Sequence, residues 1–330
     1  MRAVIVRKFG DVEELEIGTL PDPSPSANDV LLRVDATSVN FVDLLVVGGK
    51  YQFLPNRPFA PGKMANGTIA AVGANVVSLK VGDRVQTMAE SGGFAELMVV
   101  APENCIPLPA SLSAADAASM SLVFDTSWFA LRDRARIRPG ETVLVLGATG
   151  AVGYASIQLA KAMGARVLAA VSSLAKSDTV KAAGADAVID LSVGNLRDSL
   201  RAQVYDQTGG NGADIVLDML GGDVFDAAIR AVAWKGRLVV IGFATGRIPT
   251  LKVNYVLLKN IEVSGLQVSD YRKRDMPQMR TCFEEMYGFY ESGKVRPAAP
   301  QTYPLEEYEV AMTEIRDRKA AGRVVLLPQE

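Results

Sequence analysis

Seven residues carry the clearest chemical signal in the sequence. Gly147, Ala148, Thr149, Gly150, Ala151, Val152 and Gly153 follow the apolar run Val143–Leu146 and open a segment rich in Ala, Ile and Leu. A strand that feeds a glycine-spaced turn and then a helix is suited to the pyrophosphate of a dinucleotide. Gly150 lets the backbone approach the phosphates, and Gly153 lets the helix pack close to the strand. The helix N-terminus offers unpaired N–H groups and the positive end of a dipole. Such turns also occur without ligands, but this one starts a full βαβαβ series, the setting that dinucleotide binding requires. The next strand, Val167–Val171, selects the cofactor. An acidic residue there would hold the ribose of NAD. The chain instead has Ser172, Ser173 and, shortly after, Lys176. Two hydroxyls and an ammonium suit a 2′-phosphate, which points to NADP(H), with a helix-capping Ser and a solvated Lys as the alternative.

Other chemistry is excluded by residue type. The 330 residues include two cysteines and no histidine. Without His there is no Ser-His-Asp or Cys-His nucleophile system and no HExxH metal site. Two distant cysteines, Cys105 and Cys282, build neither a Cys-rich zinc site nor a disulfide framework, and a reducing cytoplasm is the expected compartment. Lys and Arg total 35 against 37 Asp and Glu, a net charge of −2, with no long basic run. Nucleic acid is therefore not an expected partner. No apolar run approaches the roughly 18 residues of a membrane span, so no membrane is expected either.

These residues need elements to position them. The first hundred residues read as β structure, with short apolar runs such as Val30–Val34 and Thr68–Val72 between Gly, Pro, Asn and Asp clusters. This suggests an antiparallel barrel or sandwich. A short helix capped by Ser113 and an amphipathic helix over 121–134 follow. From Glu141 onward, apolar strands at 143–147, 167–171, 187–189, 215–217 and 238–241 alternate with helices. That pattern predicts a parallel sheet covered on both faces. Helices near 276–292 and 306–318 precede a last strand, 323–327, expected to pair back with the first domain.

The chain resembles a zinc-independent medium-chain dehydrogenase/reductase of the quinone oxidoreductase (zeta-crystallin-like) group. The resemblance spans nearly the whole length. It is carried by Ser38-Val-Asn-Phe-Val-Asp43, Gly49-Lys-Tyr51, Lys80-Val-Gly-Asp-Arg-Val85, Gly93-Phe-Ala-Glu96, Arg138-Pro-Gly-Glu-Thr-Val143, the glycine turn, Asn254-Tyr-Val-Leu-Leu-Lys-Asn260 and Gly322-Arg-Val-Val325. It implies an α/β protein: a discontinuous GroES-like β domain for substrate, 1–118 and 266–330, and a Rossmann doubly wound parallel-sheet domain for NADP, 119–265. It also implies an active site in the cleft and a homodimer. Where zinc-dependent relatives place a Cys and a His on catalytic zinc, this chain has Asn40 and Lys63, so no metal is expected. Met64 replaces the usual acid, and Leu191 stands where relatives often carry a Tyr against the 2′-phosphate. Thr126, Gly242, Phe243 and Asn254 fall where relatives contact the cofactor or line the nicotinamide pocket.

Three side chains are then candidates for the chemistry. Asn40 offers an amide donor, with a structural turn residue as its alternative. Tyr51 offers a phenol that donates at neutral pH, with a ring-stacking wall residue as the alternative. Lys63 offers an ammonium in place of the metal's charge, with a solvated loop lysine as the alternative. Asp270–Asp275, a small basic cluster with flanking acids, reads as a solvated loop or helix start. Quinones and other activated electrophiles accept hydride with only a hydrogen-bond donor to assist. The leading expectation is NADPH-dependent reduction of quinones or related activated carbonyl compounds. The alternatives are reduction of enones or enoyl thioesters with Tyr51 as proton donor and, in another class, an NADPH-binding structural or regulatory protein with weak turnover.

Overall fold

A computed structural model describes residues 1–320 and 322–330. It divides into two compact units. One comprises 1–122, 272–283 and 297–330, and the other 123–271 and 284–296.

The first unit is built on one long strand, Val30–Val39. Its alternate residues Val30, Leu32 and Val34 face a core with Ile69, Val85, Met98 and Val100, as a period of two requires. On one side it pairs antiparallel with Asn66–Val72, which leads on to Arg84–Thr87 and Cys105–Pro107. On the other side it pairs first with Leu97–Val100 and then with Val324–Leu327. The last strand therefore returns to this unit, with Val324 opposite Val39, and it carries Gln301–Pro304 parallel at its outer edge. A two-stranded hairpin, Arg2–Ile5 with Glu16–Thr19, completes the β structure among the described residues. The central strand ends at Asn40, where the helix Phe41–Val47 begins.

The second unit is a six-stranded parallel sheet in the order 187–190, 166–171, 142–146, 213–218, 232–240, 262–265. Thr142–Leu146 is central and comes first in the chain. The sheet grows outward on one side, then restarts on the other at Ala213–Asp218. The crevice at the carboxyl ends of these two strands is the topological switch point, where such sheets bind dinucleotides. All the strands expected from the alternation are present.

Two expectations change. The helix over 121–134 starts only at Val123, because Leu122 takes a left-handed φ of 68°. It then continues as a π-helical turn, Phe129–Arg134, in which the Ala135 N–H donates to the Ala130 carbonyl. Residues 266–330 also do not stay together. In the second unit Glu285 accepts from the Trp128 indole N–H at 2.6 Å and pairs with Arg132. Arg296 N–H donates to Gln158 Oε1 at 2.6 Å. These bonds tie 284–296 to the helices of the second unit.

Candidate active site

In the second unit the glycine turn has the geometry a dinucleotide needs. Gly147 has φ 73° at the end of the central strand. Gly150 is the N-terminal cap of the helix Ala151–Ala162 and lies exposed. A Cβ at Gly153 would sit 2.3 Å from the Gly147 carbonyl oxygen, so only glycine allows the helix this close to the turn. Ala148 is fully buried and its N–H donates to Ala170 O at 3.1 Å, while Thr149, Ala151 and Val152 remain at least partly accessible. The first N–H groups of the helix thus face an open side, and the turn fits a pyrophosphate.

The other expected cofactor residues lie in the same unit. Ser172 and Lys176 are exposed beyond the strand Arg166–Val171, and Ser173 caps the 3-10 turn Leu174–Lys176 by accepting from Ala175 N. Asp218 ends the neighbouring strand. Its Oδ1 accepts from Leu220 and Gly221 N–H, both at 2.9 Å. Its carbonyl accepts from Ile241 and Gly242, which fixes the loop that leads to Phe243. Burial pushes the Asp218 carboxyl up, against the pull of those two backbone donors. Phe243 is 41% exposed, so it is available to a ligand rather than part of the core. Asn254 is exposed in the first turn of the helix Val253–Lys259. Thr126 is half-buried on Val123–Trp128, a helix anchored to the turn helix where Ser127 Oγ donates to Val152 O at 3.0 Å.

In the first unit the structure corrects the role of Asn40. It is 3% exposed and its side chain is fully engaged. Nδ2 donates to Ser38 O and Oγ at 3.1 and 3.0 Å, and Oδ1 accepts from Arg323 at 2.8 Å. With both amide hydrogens used, Asn40 anchors the strand-to-helix junction and is no substrate donor. Its own N–H donates to Asp43 Oδ2 at 2.8 Å. Asp43 is buried, and that burial pushes its carboxyl up to about 6 despite the Asn40 N–H, Lys63 and Arg323.

Lys63 is not a solvated loop lysine. Only 2% of it is exposed, and its ammonium is hydrogen-bonded to Glu90 Oε2. Glu90 Oε1 accepts from Arg272 Nη1 at 2.8 Å, and the Arg272 side chain is also buried. Burial alone would raise the Glu90 carboxyl, but the two cations outweigh it and hold the group below its ordinary value. The Lys63 ammonium lies 4.8 Å from the Tyr51 ring centroid. Tyr51 is half-buried and meets Phe53 edge-on, and Lys273 lies over the Phe53 ring. The structure therefore brings Tyr51 and Lys63 together, with Glu90 and Arg272 behind them. Neither of the last two was marked by the sequence. Glu90 precedes Ser91-Gly-Gly93, Arg272 lies in the basic cluster read as a solvated loop or helix start, and 182 residues separate them. No local spacing signals such a pair.

An antiparallel β unit joined in sequence to a dinucleotide-binding sheet defines a medium-chain dehydrogenase/reductase. The chain matches the alcohol dehydrogenase GroES-like domain over residues 26–110 and the zinc-binding dehydrogenase family over 151–285. It is 35% identical to a quinone oxidoreductase-like protein 2 homolog of Nematostella vectensis over 302 residues, 91% of this chain and 81% of that one. It is 32% identical to the quinone oxidoreductase of Mus musculus, across 99% of this chain and 98% of that one. The structure of Escherichia coli quinone oxidoreductase complexed with NADPH superposes with a TM-score of 0.89 at 25% identity, covering 99% and 100% of the two chains. The chain belongs to the quinone oxidoreductase group of this family. It is an oxidoreductase that uses NADP(H).

The zinc of the family's other branch does not fit the residues present. An ammonium has no lone pair to give a metal, and Lys63 is ion-paired in that state. The Asn40 oxygen is taken by Arg323. Among the described residues no group of three His, Cys, Asp or Glu side chains could hold a metal ion. No helix among them is long and apolar enough to cross a membrane.

Proposed function

We propose that this protein reduces quinones and related activated carbonyl electrophiles with NADPH and without zinc, as a cytoplasmic homodimer. The observation that carries the reading is the Tyr51–Lys63 pair. Where zinc-dependent relatives hold a Lewis acid, this chain holds a phenol backed by a paired ammonium. Bound NADPH supplies a hydride from C4 of its nicotinamide. The turn 147–153 binds the pyrophosphate, and Ser172, Ser173 and Lys176 take the 2′-phosphate. Gly242, Phe243, Asn254 and Thr126 line the nicotinamide side. Tyr51 donates its O–H to the acceptor oxygen as charge grows there, and the proton follows. An acceptor that is already electrophilic needs no more than this, whereas oxidation of a simple alcohol needs a base or a metal to remove the hydroxyl proton. Asn40 and Asp43 hold the segment that presents Tyr51.

A steady-state screen of quinones, enones, enoyl thioesters and simple alcohols, each with NADPH and NADH, tests the reading. Quinones should turn over fastest with NADPH, and alcohols not at all. A saturated C–C product formed at good rate, with slow quinone turnover, would replace the quinone label with C=C reduction. Tight NADPH binding with no turnover of any acceptor would make it a binding protein. In the Ser172→Ala, Lys176→Ala double variant, loss of charged hydrogen bonds worth about 1.5–3 kcal/mol should cut NADPH affinity at least tenfold. NADH affinity should stay unchanged, both read by nicotinamide fluorescence.

A further inference from the structure

We propose that Lys63 works through Tyr51. Its ammonium, fixed by Glu90 and Arg272, stabilises the negative charge left on the phenol oxygen when Tyr51 gives up its proton. This rests on Tyr51 being the proton donor of the reductase proposed above. Lys63 is thus a positioning residue, with Glu90 and Arg272 holding it in turn.

The geometry leaves the ammonium little other use. It is buried, so no substrate reaches it directly. It sits 4.8 Å from the Tyr51 ring centroid, within the range where a cation and an aromatic ring attract. Glu90, Asp43 and Tyr51 all lie near Lys63. Arg272, bonded to the other carboxylate oxygen, fixes Glu90 behind the ammonium. A buried lysine held this way by a buried ion pair keeps one place and one orientation. The aromatic ring set against it is that of Tyr51. A positive charge held where water is scarce acts strongly on a charge that appears a few ångströms away.

Once the acceptor has taken up hydride, an electron pair rests on its oxygen, as an enolate or a hydroquinonate. The Tyr51 O–H bond breaks and its electron pair stays on the phenol oxygen. The proton forms the new bond on the acceptor, at oxygen for a quinone or at the α-carbon for an enone. Water then returns a proton to Tyr51. Lys63 takes no part in the proton transfer.

A double-mutant cycle tests this, with Lys63→Met, Tyr51→Phe and the combined variant measured on the best acceptor. A cation–aromatic contact with little solvent predicts that Lys63→Met lowers kcat about tenfold. KM and the NADPH Kd read by fluorescence should hold within about twofold, and the solvent deuterium isotope effect on kcat should rise. Lys63→Arg should restore most of the rate. In the Tyr51→Phe background the Lys63 substitution should change kcat no further. Equal losses in both backgrounds, or no loss in either, would overturn the inference. If Lys63→Met fails to fold because Glu90 is left buried and unpaired, Lys63→Met with Glu90→Gln removes both charges and serves in the same cycle. If Tyr51→Phe alone leaves kcat unchanged, the donor role and the inference both fall while the reductase stands. A wild-type protein inert toward every acceptor would instead remove the functional reading itself.

Discussion

At the scale of single residues, the constraint on the glycine turn was legible and the ion-paired cluster around Lys63 was not. Gly153 is recognisable from spacing because its constraint is local: a Cβ would meet Gly147 O at 2.3 Å and Ala148 Cα at 2.8 Å. Both obstacles are backbone, so nothing can swing aside. Gly153→Ala should therefore push the helix off the turn, costing about 1–3 kcal/mol as overpacking does. NADPH affinity should fall more steeply than stability, and fluorescence titration beside thermal unfolding checks both. Lys63 stood out as a type at a position, but its state was hidden. A lysine after Pro61 and Gly62 reads as a loop residue until Glu90 and Arg272 close over it, and that closure depends on chain segments far apart. Asn40 shows the converse. Its position was visible, yet its amide is occupied by Ser38 and Arg323, and the Arg323 contact spans 283 residues.

At the scale of elements, the helix Phe41–Val47 depends on Asp43, whose carboxylate receives the Asn40 N–H. Its folded pKa, about 6, lies above the ordinary 3.8, and burial is the main cause. Below about pH 4 the group is protonated whether the chain is folded or not. As pH rises toward 6 the unfolded chain releases this proton first, so the stability Asp43 contributes at low pH is lost through that window. Asp43→Asn keeps an acceptor for Asn40 and removes the titration. The wild type should therefore lose stability relative to Asp43→Asn between about pH 4 and 6, with the difference flat above about pH 7. Urea unfolding at a series of pH values measures it, and a difference that does not change across that window would contradict the assignment. Regular elements such as the parallel strands were readable because buried strands are apolar throughout. The π-helical turn at Phe129–Arg134 was not, since no periodic pattern distinguishes it from an ordinary helix.

At the scale of the whole molecule, two features go beyond any one site. Ile248, Val253, Leu257 and Leu258 are each about 70% exposed or more and come shortly before the edge strand Glu262–Gly265 in the chain. Clustered apolar side chains next to an open strand edge suit association. A second copy of the chain is the partner proposed for this face. Leu257→Glu with Leu258→Glu should convert a dimer into a monomer by light scattering, and an unchanged mass would place the contact elsewhere. The second feature is the strand Val324–Leu327, which sits against Thr37–Val39 in the sheet of the first unit. During synthesis, a ribosome must travel past residue 327 before that sheet can close. Until then the nascent chain carries an unfinished edge on its longest strand while the dinucleotide-type domain is already complete. Chaperone capture would therefore fall on the β domain, and a premature stop between residues 297 and 323 would leave the dinucleotide-type unit whole and the β unit without its closing strand.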